Sequence, residues 1–164
     1  MNKLKVEVHG DRQIVISRAF EASRRLVFEA FSKPELVRQW LLGPPGWSMP
    51  ICEIDFRVGG RYRYLWRNES GAEMGVGGVY REIVAPERIV ATENFDQAWY
   101  PGEAVGTVVL TEQGGKTLLT QTILYESREA RDSVVASPME RGLAASYGRL
   151  ENLLVSLQPP GAEK

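Results

Sequence analysis

Cysteine and histidine are nearly absent from this sequence, which contains Cys52 and His9 and no other residue of either type. A single thiol cannot form an intrachain disulfide, and it excludes a zinc or iron–sulfur site built from several cysteines. No segment has the dense acidic spacing of a calcium-binding loop. We therefore expect no metal and no other cofactor, and a lone thiol is typical of a reducing, cytoplasmic compartment.

Long apolar runs and an excess of one charge are also absent. No run of apolar residues is longer than three, so the sequence shows neither a membrane-spanning segment nor the core of a signal peptide. The 20 basic and 21 acidic residues leave a net charge of −1, whereas proteins that bind nucleic acids or membrane surfaces usually carry a positive excess. We expect neither nucleic acid nor membrane as a partner.

The chain of 164 residues has the usual size of one domain with its own hydrophobic core. No composition shift or linker divides it, and its last residues are mostly polar, proline or glycine. We therefore assign residues 1–157 to a single domain and residues 158–164 to a flexible C-terminal tail.

The first quarter of the chain is predicted to form one strand and two short helices. Apolar and polar residues alternate from Leu4 to Phe20 around a turn at residues 9–11. Ser23 is a suitable cap for a first helix, and Ser32-Lys33-Pro34-Glu35 has the serine-to-glutamate spacing of a capping box for a second helix.

From residue 51 onward the apolar period changes to two, which predicts an antiparallel meander of six strands. These strands are predicted over residues 51–57, 60–67, 73–84, 88–95, 104–112 and 116–126. A short helix is predicted over 128–136, and a long helix from Ser137-Pro138, capped by Ser137 with Glu140, to about Leu157.

These elements predict an α+β fold in which a curved antiparallel sheet of about seven strands wraps around the long C-terminal helix. One helix cannot fill the whole concave side of a strongly twisted sheet, so we expect a cavity between the sheet and the helices. Such a cavity is where a function would reside.

Residues 20–44 contain Phe20-Glu21-Ala22-Ser23, Val27-Phe28-Glu29-Ala30-Phe31, Pro34-Glu35, Trp40 and Gly43-Pro44. This segment resembles the opening of the START-like, helix-grip proteins of the SRPBCC superfamily. Further motifs are Glu53 to Tyr62, Gly78 to Ile83 with Pro86 to Ile89, and Met139 to Gly142 with Leu150. They resemble the branch related to activators of the heat-shock protein 90 ATPase. The resemblance covers about residues 12–157 and implies a helix-grip fold with an enclosed pocket.

Aromatic residues on one face of a strand are the main candidates for binding a ligand. Tyr62, Tyr64 and Trp66 share a face by parity, and aromatic rings with polar tips suit a ligand cavity better than a dry core. The predicted ligand-binding residues are Trp40, Phe56, Tyr62, Tyr64, Trp66, Tyr80, Phe95, Met139, Leu143 and Tyr147. A shift in register by one residue would turn Arg61 and Arg63 toward the ligand instead.

Acidic residues in the strands are the main candidates for catalysis. Glu82 and Glu93 are each either a buried acid with a raised pKa or the partner of an arginine, and we favour the ion pair. His9 lies in a predicted surface turn, so a serine or cysteine nucleophile would lack a buried base. An enzyme would therefore use Glu82, Glu93 or Tyr80 for acid–base chemistry on a polyketide-like or aromatic substrate.

Three functions stay open at this point. We place first a non-catalytic pocket for a small hydrophobic or aromatic molecule, and second a cyclase-like or hydrolase-like enzyme. The third is a module that binds a chaperone ATPase, which the resemblance suggests. The sequence also leaves open whether the chain forms a homodimer.

Overall fold

The computed structural model describes residues 3–158, which form eight strands and four helices. The strands are β1 (Lys5–His9), β2 (Gln13–Phe20), β3 (Trp47–Ile54), β4 (Arg61–Asn68), β5 (Glu73–Val84), β6 (Arg88–Phe95), β7 (Ala104–Gln113) and β8 (Lys116–Leu124). The helices are α1 (Arg24–Ser32), α2 (Pro34–Trp40), α3 (Arg128–Val135) and α4 (Met139–Leu157).

All eight strands belong to one sheet, in the order β1-β2-β8-β7-β6-β5-β4-β3, and every neighbouring pair is antiparallel. The helices α1 and α2 carry the chain from β2 to β3, which lies at the opposite edge of the sheet. The predicted α+β architecture is therefore confirmed, including the antiparallel sheet and the long terminal helix.

The number of strands is eight where seven were predicted. The turn that was placed at residues 9–11 separates β1 from β2, and these two strands pair with each other as a hairpin. Gly10 in this turn has a φ of 55°, a left-handed conformation that glycine adopts without steric cost. The alternation predicted as one strand thus folds back on itself.

Of the three predicted serine caps, the one at Ser23 is confirmed, because its hydroxyl oxygen accepts from the Leu26 N–H at 3.4 Å. The caps predicted at Ser32 and Ser137 are wrong. Ser32 is the last residue of α1, and its hydroxyl donates to the Phe28 carbonyl oxygen at 3.0 Å. Ser137 likewise donates to the carbonyl oxygen of Val134, and α4 begins without a side-chain cap after Pro138. In both places the preceding helix ends at the serine or just before it, and the serine hydroxyl donates to a carbonyl oxygen in the last turns of that helix instead of capping the next one.

The third strand begins at Trp47, four positions before the predicted residue 51. Its pairing with β4 shifts between Ser48 and Ile51, on either side of Pro50. Edge strands tolerate such a bulge and a proline, because one side of their backbone has no strand partner. The predicted tail over 158–164 lies outside the described residues except for Gln158.

The inner face of α4 packs against both the sheet and the other helices. Tyr147, Leu150 and Leu154 are buried along this face. The Tyr147 ring meets Phe20 of β2 edge-on and also contacts Trp40 of α2, with both centroid separations at 5.8 Å. Within residues 3–158, no helix is long and apolar enough to cross a membrane.

Candidate functional site

A cavity of about 310 Å³ lies between the concave face of the sheet and the helices. Along β6 the inward residues alternate, so Ile89, Ala91, Glu93 and Phe95 all face it. Ala91 pairs with Gly106 of β7, and both residues line the cavity. Because neither residue has a long side chain, the centre of the sheet leaves space that larger residues would fill.

Nine of the ten residues predicted to bind a ligand line this cavity. They are Trp40, Tyr62, Tyr64, Trp66, Tyr80, Phe95, Met139, Leu143 and Tyr147. Phe56 lies outside its wall and packs between Phe28 and Tyr80, with ring centroids 5.6 Å and 5.1 Å away. The strand β3 ends at Ile54, so the alternation that placed Phe56 inward does not extend to it.

The aromatic wall on β4 is held by specific contacts. The Tyr62 hydroxyl donates to the Thr92 carbonyl oxygen at 2.7 Å, and the Trp66 ring nitrogen donates to the Leu41 carbonyl oxygen at 2.7 Å. A Cβ at Gly78 would overlap the Thr92 carbonyl oxygen and lie 2.8 Å from the Tyr62 ring. Glycine at this position therefore leaves the space in which the Tyr62 ring lies.

The arginines of β4 lie on the opposite face from the cavity. Arg63 forms a two-point ion pair with Asp96, in which the Nη1–Oδ1 distance is 2.8 Å. Arg67 pairs with Glu73, and Arg61 is exposed. The alternative register, with Arg61 and Arg63 facing a ligand, is therefore not the one adopted.

Glu93 is the only charged side chain among the described residues that line the cavity. Within residues 3–158 its carboxyl group has no hydrogen bond or ion pair with the protein; instead, it lies near three tyrosines, Tyr62, Tyr100 and Tyr125. Burial raises the pKa of Glu93 from 4.5 to about 7. At neutral pH the group is therefore divided between its charged and neutral forms.

The other catalytic candidates lie in different surroundings. Glu82 is exposed and pairs with Arg88 at 3.2 Å, so it lies outside the cavity. Tyr80 lies in the cavity wall and is 4% exposed. Of the two acids, Glu82 follows the ion-pair expectation, whereas Glu93 is the half-buried acid that faces the cavity.

A second polar contact lies at the far end of the cavity. The Tyr147 hydroxyl donates to Oε1 of Gln121 at 3.1 Å, and both residues line the space. Gln121 is opposite Val108 on β7, whereas Glu93 is opposite Ala104. Ala104 and Val108 are four residues apart on β7, which corresponds to about 13 Å along the strand. The positions of Glu93 and Gln121 are therefore well separated.

The loop between β6 and β7 contributes residues that the sequence analysis missed. Trp99 and Tyr100 both line the cavity, and the buried Tyr100 hydroxyl has no hydrogen-bond partner. Trp99 is 40% exposed and also borders a second, apolar hollow of about 490 Å³. The adjacent aromatic residues were the feature of the sequence that could have indicated a role in the site. Because a loop lacks the regular alternation of a strand, the sequence does not show which way their side chains point.

This second hollow, which we call the vestibule, lies beside the cavity. The two spaces share six wall residues, namely Leu41, Trp66, Phe95, Trp99, Met139 and Leu143. The vestibule also reaches the exposed Met74 and Pro138. It thus gives the cavity an apolar approach from the surface.

Metal ligands do not cluster in the part of the chain that the structure describes. No group of three or more His, Cys, Asp or Glu side chains there could hold a metal ion. Cys52 is buried and free, and burial raises the pKa of its thiol.

An antiparallel sheet curved around a long C-terminal helix, with a cavity between them, defines the helix-grip class of proteins. The family model described as "Activator of Hsp90 ATPase homolog 1-like protein" matches residues 21–155. The chain therefore belongs to this family.

Solved structures of similar proteins have the same fold. A protein of Rhodobacter sphaeroides is 28% identical with a TM-score of 0.89, and the match covers 95% of this chain and 100% of that one. A protein of Chromobacterium violaceum is also 28% identical with a TM-score of 0.74, covering 87% of this chain and 96% of its own. An AHSA1-like protein of Aeromonas hydrophila is 19% identical with a TM-score of 0.69, covering 88% and 97% respectively. No curated protein gives a significant match.

Proposed function

We propose that this protein binds a small apolar or aromatic molecule in the cavity between the sheet and α4, without changing it chemically. The observation that carries the proposal is an interior space of about 310 Å³ whose wall is mostly aromatic and aliphatic. Ligand-binding sites are typically concave, mostly apolar and a few hundred Å³ in volume.

The composition of the wall supports an aromatic occupant. Tyr62, Tyr64 and Trp66 form a continuous row with ring centroids 5.0 Å and 6.0 Å apart. Such rings offer broad apolar surface and edge-to-face or offset stacking to another ring. Removing apolar surface from water contributes about 25 cal/mol per Å², so a planar molecule enclosed here gains affinity without any charged contact.

The vestibule supports access to this space. Its wall is formed by Trp66, Phe95 and Trp99 on one side and by Met139 and Leu143 of α4 on the other. An apolar molecule can therefore move from the surface to the interior along residues that favour it throughout.

The proposal is tested by filling the cavity from the sheet. A Cβ at Gly106 would meet no atom closer than 3.9 Å, so Gly106→Leu should fold and project its side chain into the space. In the parent, 2-methylnaphthalene should bind and raise the melting temperature. At a probe concentration of a hundred times the dissociation constant, binding should add about 2.7 kcal/mol to the free energy of unfolding. Gly106→Leu should abolish this shift, as measured by thermal unfolding with and without the probe.

Thr107→Leu is the matched control, because it adds the same side chain at the next residue, which faces away from the cavity. This variant should keep the parent's shift. If the probe does not stabilise the parent, or if Gly106→Leu binds it as well as Thr107→Leu does, the cavity is not the binding site.

A further inference from the structure

The cavity has a polar position at one end of its apolar wall. Glu93 faces the space from β6, and no lysine, arginine or histidine among the described residues lines the cavity. We propose that the protein selects apolar molecules that carry a protonated amine, and that the Glu93 carboxylate binds the ammonium group. This inference rests on the proposed function and specifies the class of ligand.

When Glu93 is ionised, its carboxylate needs a positively charged partner from outside the protein. The nearby arginines lie on the outer face, where Arg63 pairs with Asp96 and Arg81 pairs with Glu103. A buried carboxylate without a partner is costly, and an opposite charge with a hydrogen bond offsets that cost. Because no residue within 3–158 supplies such a charge inside the cavity, a cationic ligand is the group that completes it.

The tyrosines near Glu93 suit an ammonium group as well. The Tyr100 hydroxyl is buried without a partner, and its oxygen can accept a second hydrogen bond from an ammonium group beside Glu93. The Tyr100 and Tyr125 rings meet edge-on with centroids 5.3 Å apart. Aromatic rings around a cation add attraction through their electron-rich faces.

The position of Glu93 also orients the ligand. Glu93 lies two residues from Phe95, which borders both the cavity and the vestibule, whereas Gln121 lies at the other end of the space. With about 13 Å between the two polar positions, the apolar body of the ligand would extend from Glu93 toward Ile89 and Val108. We therefore expect a compact amine with one or two rings rather than a long chain.

The titration of Glu93 gives the inference a pH dependence. The titratable groups near Glu93 are Tyr62 of β4, Tyr100 of the β6–β7 loop and Tyr125 after β8, and burial raises the pKa of each. From α4 only Tyr147 lines the cavity with a titratable group, and burial raises its pKa too. Glu93 is therefore the group that changes charge near pH 7, so affinity for an amine should rise between pH 6 and pH 8.

The experiment compares four ligands that share one ring system: 2-(aminomethyl)naphthalene, 2-naphthalenemethanol, 2-methylnaphthalene and 2-naphthoic acid. Dissociation constants are measured by calorimetry with the full chain at pH 6 and pH 8. At pH 8 the amine should bind roughly tenfold more tightly than 2-methylnaphthalene, as expected for a hydrogen bond to a charged group, and the acid should bind most weakly. At pH 6 the advantage of the amine should shrink.

Two variants separate Glu93 from a general effect of charge. Glu93→Gln should remove the advantage of the amine over 2-methylnaphthalene, whereas Glu82→Gln, on the surface, should bind all four ligands as the parent does. The inference is overturned if 2-methylnaphthalene binds but the amine has no advantage, if the alcohol or the acid binds most tightly, or if Glu93→Gln keeps the preference. If none of the four ligands binds the parent, the proposed function fails together with the inference.

Discussion

Glu93 is a residue whose placement opposes stability. Its carboxyl group lies in an apolar wall without a protein partner among the described residues, and burial raises its pKa to about 7. A neutral or apolar residue at this position would avoid the cost of a buried acid. Acids held in such surroundings are typical of functional sites, which supports a binding role for this residue.

The same residue predicts how stability depends on pH. The unfolded chain loses the Glu93 proton near its ordinary pKa of 4.5, and the folded chain loses it near 7. Between these values the folded state binds more protons, so the contribution of Glu93 to the free energy of unfolding falls as the pH rises. Glu93→Gln should therefore gain stability relative to the parent from pH 5 to pH 8, reaching roughly 3 kcal/mol.

Urea unfolding of the parent and of Glu93→Gln across this pH range checks the prediction. Glu82→Gln serves as the control, because Glu82 is exposed on the outer surface and losing its pair with Arg88 should cost at most about 1 kcal/mol. A difference between Glu93→Gln and the parent that stays constant with pH would show that Glu93 does not titrate in this range.

Among the elements, α4 closes the concave face of the sheet with two different parts of its length. The N-terminal part places Met139 and Leu143 in the wall of the cavity, whereas the C-terminal part buries Leu150 and Leu154 in the packed core. The helix thus anchors through one half and borders the open space through the other. Its stability should depend mainly on the anchoring half.

Leu150→Ala should test this division. Leu150 is fully buried, and truncating a buried leucine costs about 2–5 kcal/mol, which for a domain of this size lowers the melting temperature by roughly 5 to 15 °C. Val155→Ala, on the same helix but 59% exposed, should change it little. Calorimetry that finds the two variants equally stable would contradict the anchoring role of Leu150.

The strands show how far the sequence could predict the site. Strict alternation on β4 correctly placed Tyr62, Tyr64 and Trp66 inward, because the strand pairs with β5 in unbroken register over their positions. On β5 the pairing with β6 shifts between Tyr80 and Glu82, so Glu82 turns outward although it shares the parity of Tyr80. A bulge of this kind depends on the partner strand and cannot be read from one strand alone.

The loops and helix starts show where prediction from sequence fails. Tyr100 borders the cavity from a loop whose direction depends on packing with Phe95 and Tyr125. The capping pattern at Ser137 was misleading because the preceding helix ends close by, and the Ser137 hydroxyl donates to the Val134 carbonyl oxygen of that helix. In each case the deciding contact is with another part of the fold, and local sequence does not contain it.

For the whole molecule, the unfilled volume is the feature that needs an explanation. Protein interiors are close-packed, and a void lined by apolar residues forfeits contacts that would otherwise stabilise the fold. Here the void is kept open by Ala91 and Gly106 at the centre of the sheet, while larger side chains surround it. A binding site for an apolar molecule accounts for this arrangement.

Binding inside the cavity is best tested by locating a bound molecule within the protein. With 2-methylnaphthalene added to protein carrying labelled methyl groups, nuclear Overhauser effects should connect the ring protons to Ile89, Val108 and Ile123, which line the cavity. The exposed methyl groups of Leu118 and Val155 should show no such effects. Contacts to those surface methyls instead, or no contacts to the cavity methyls at saturating probe, would show that the cavity is not the binding site.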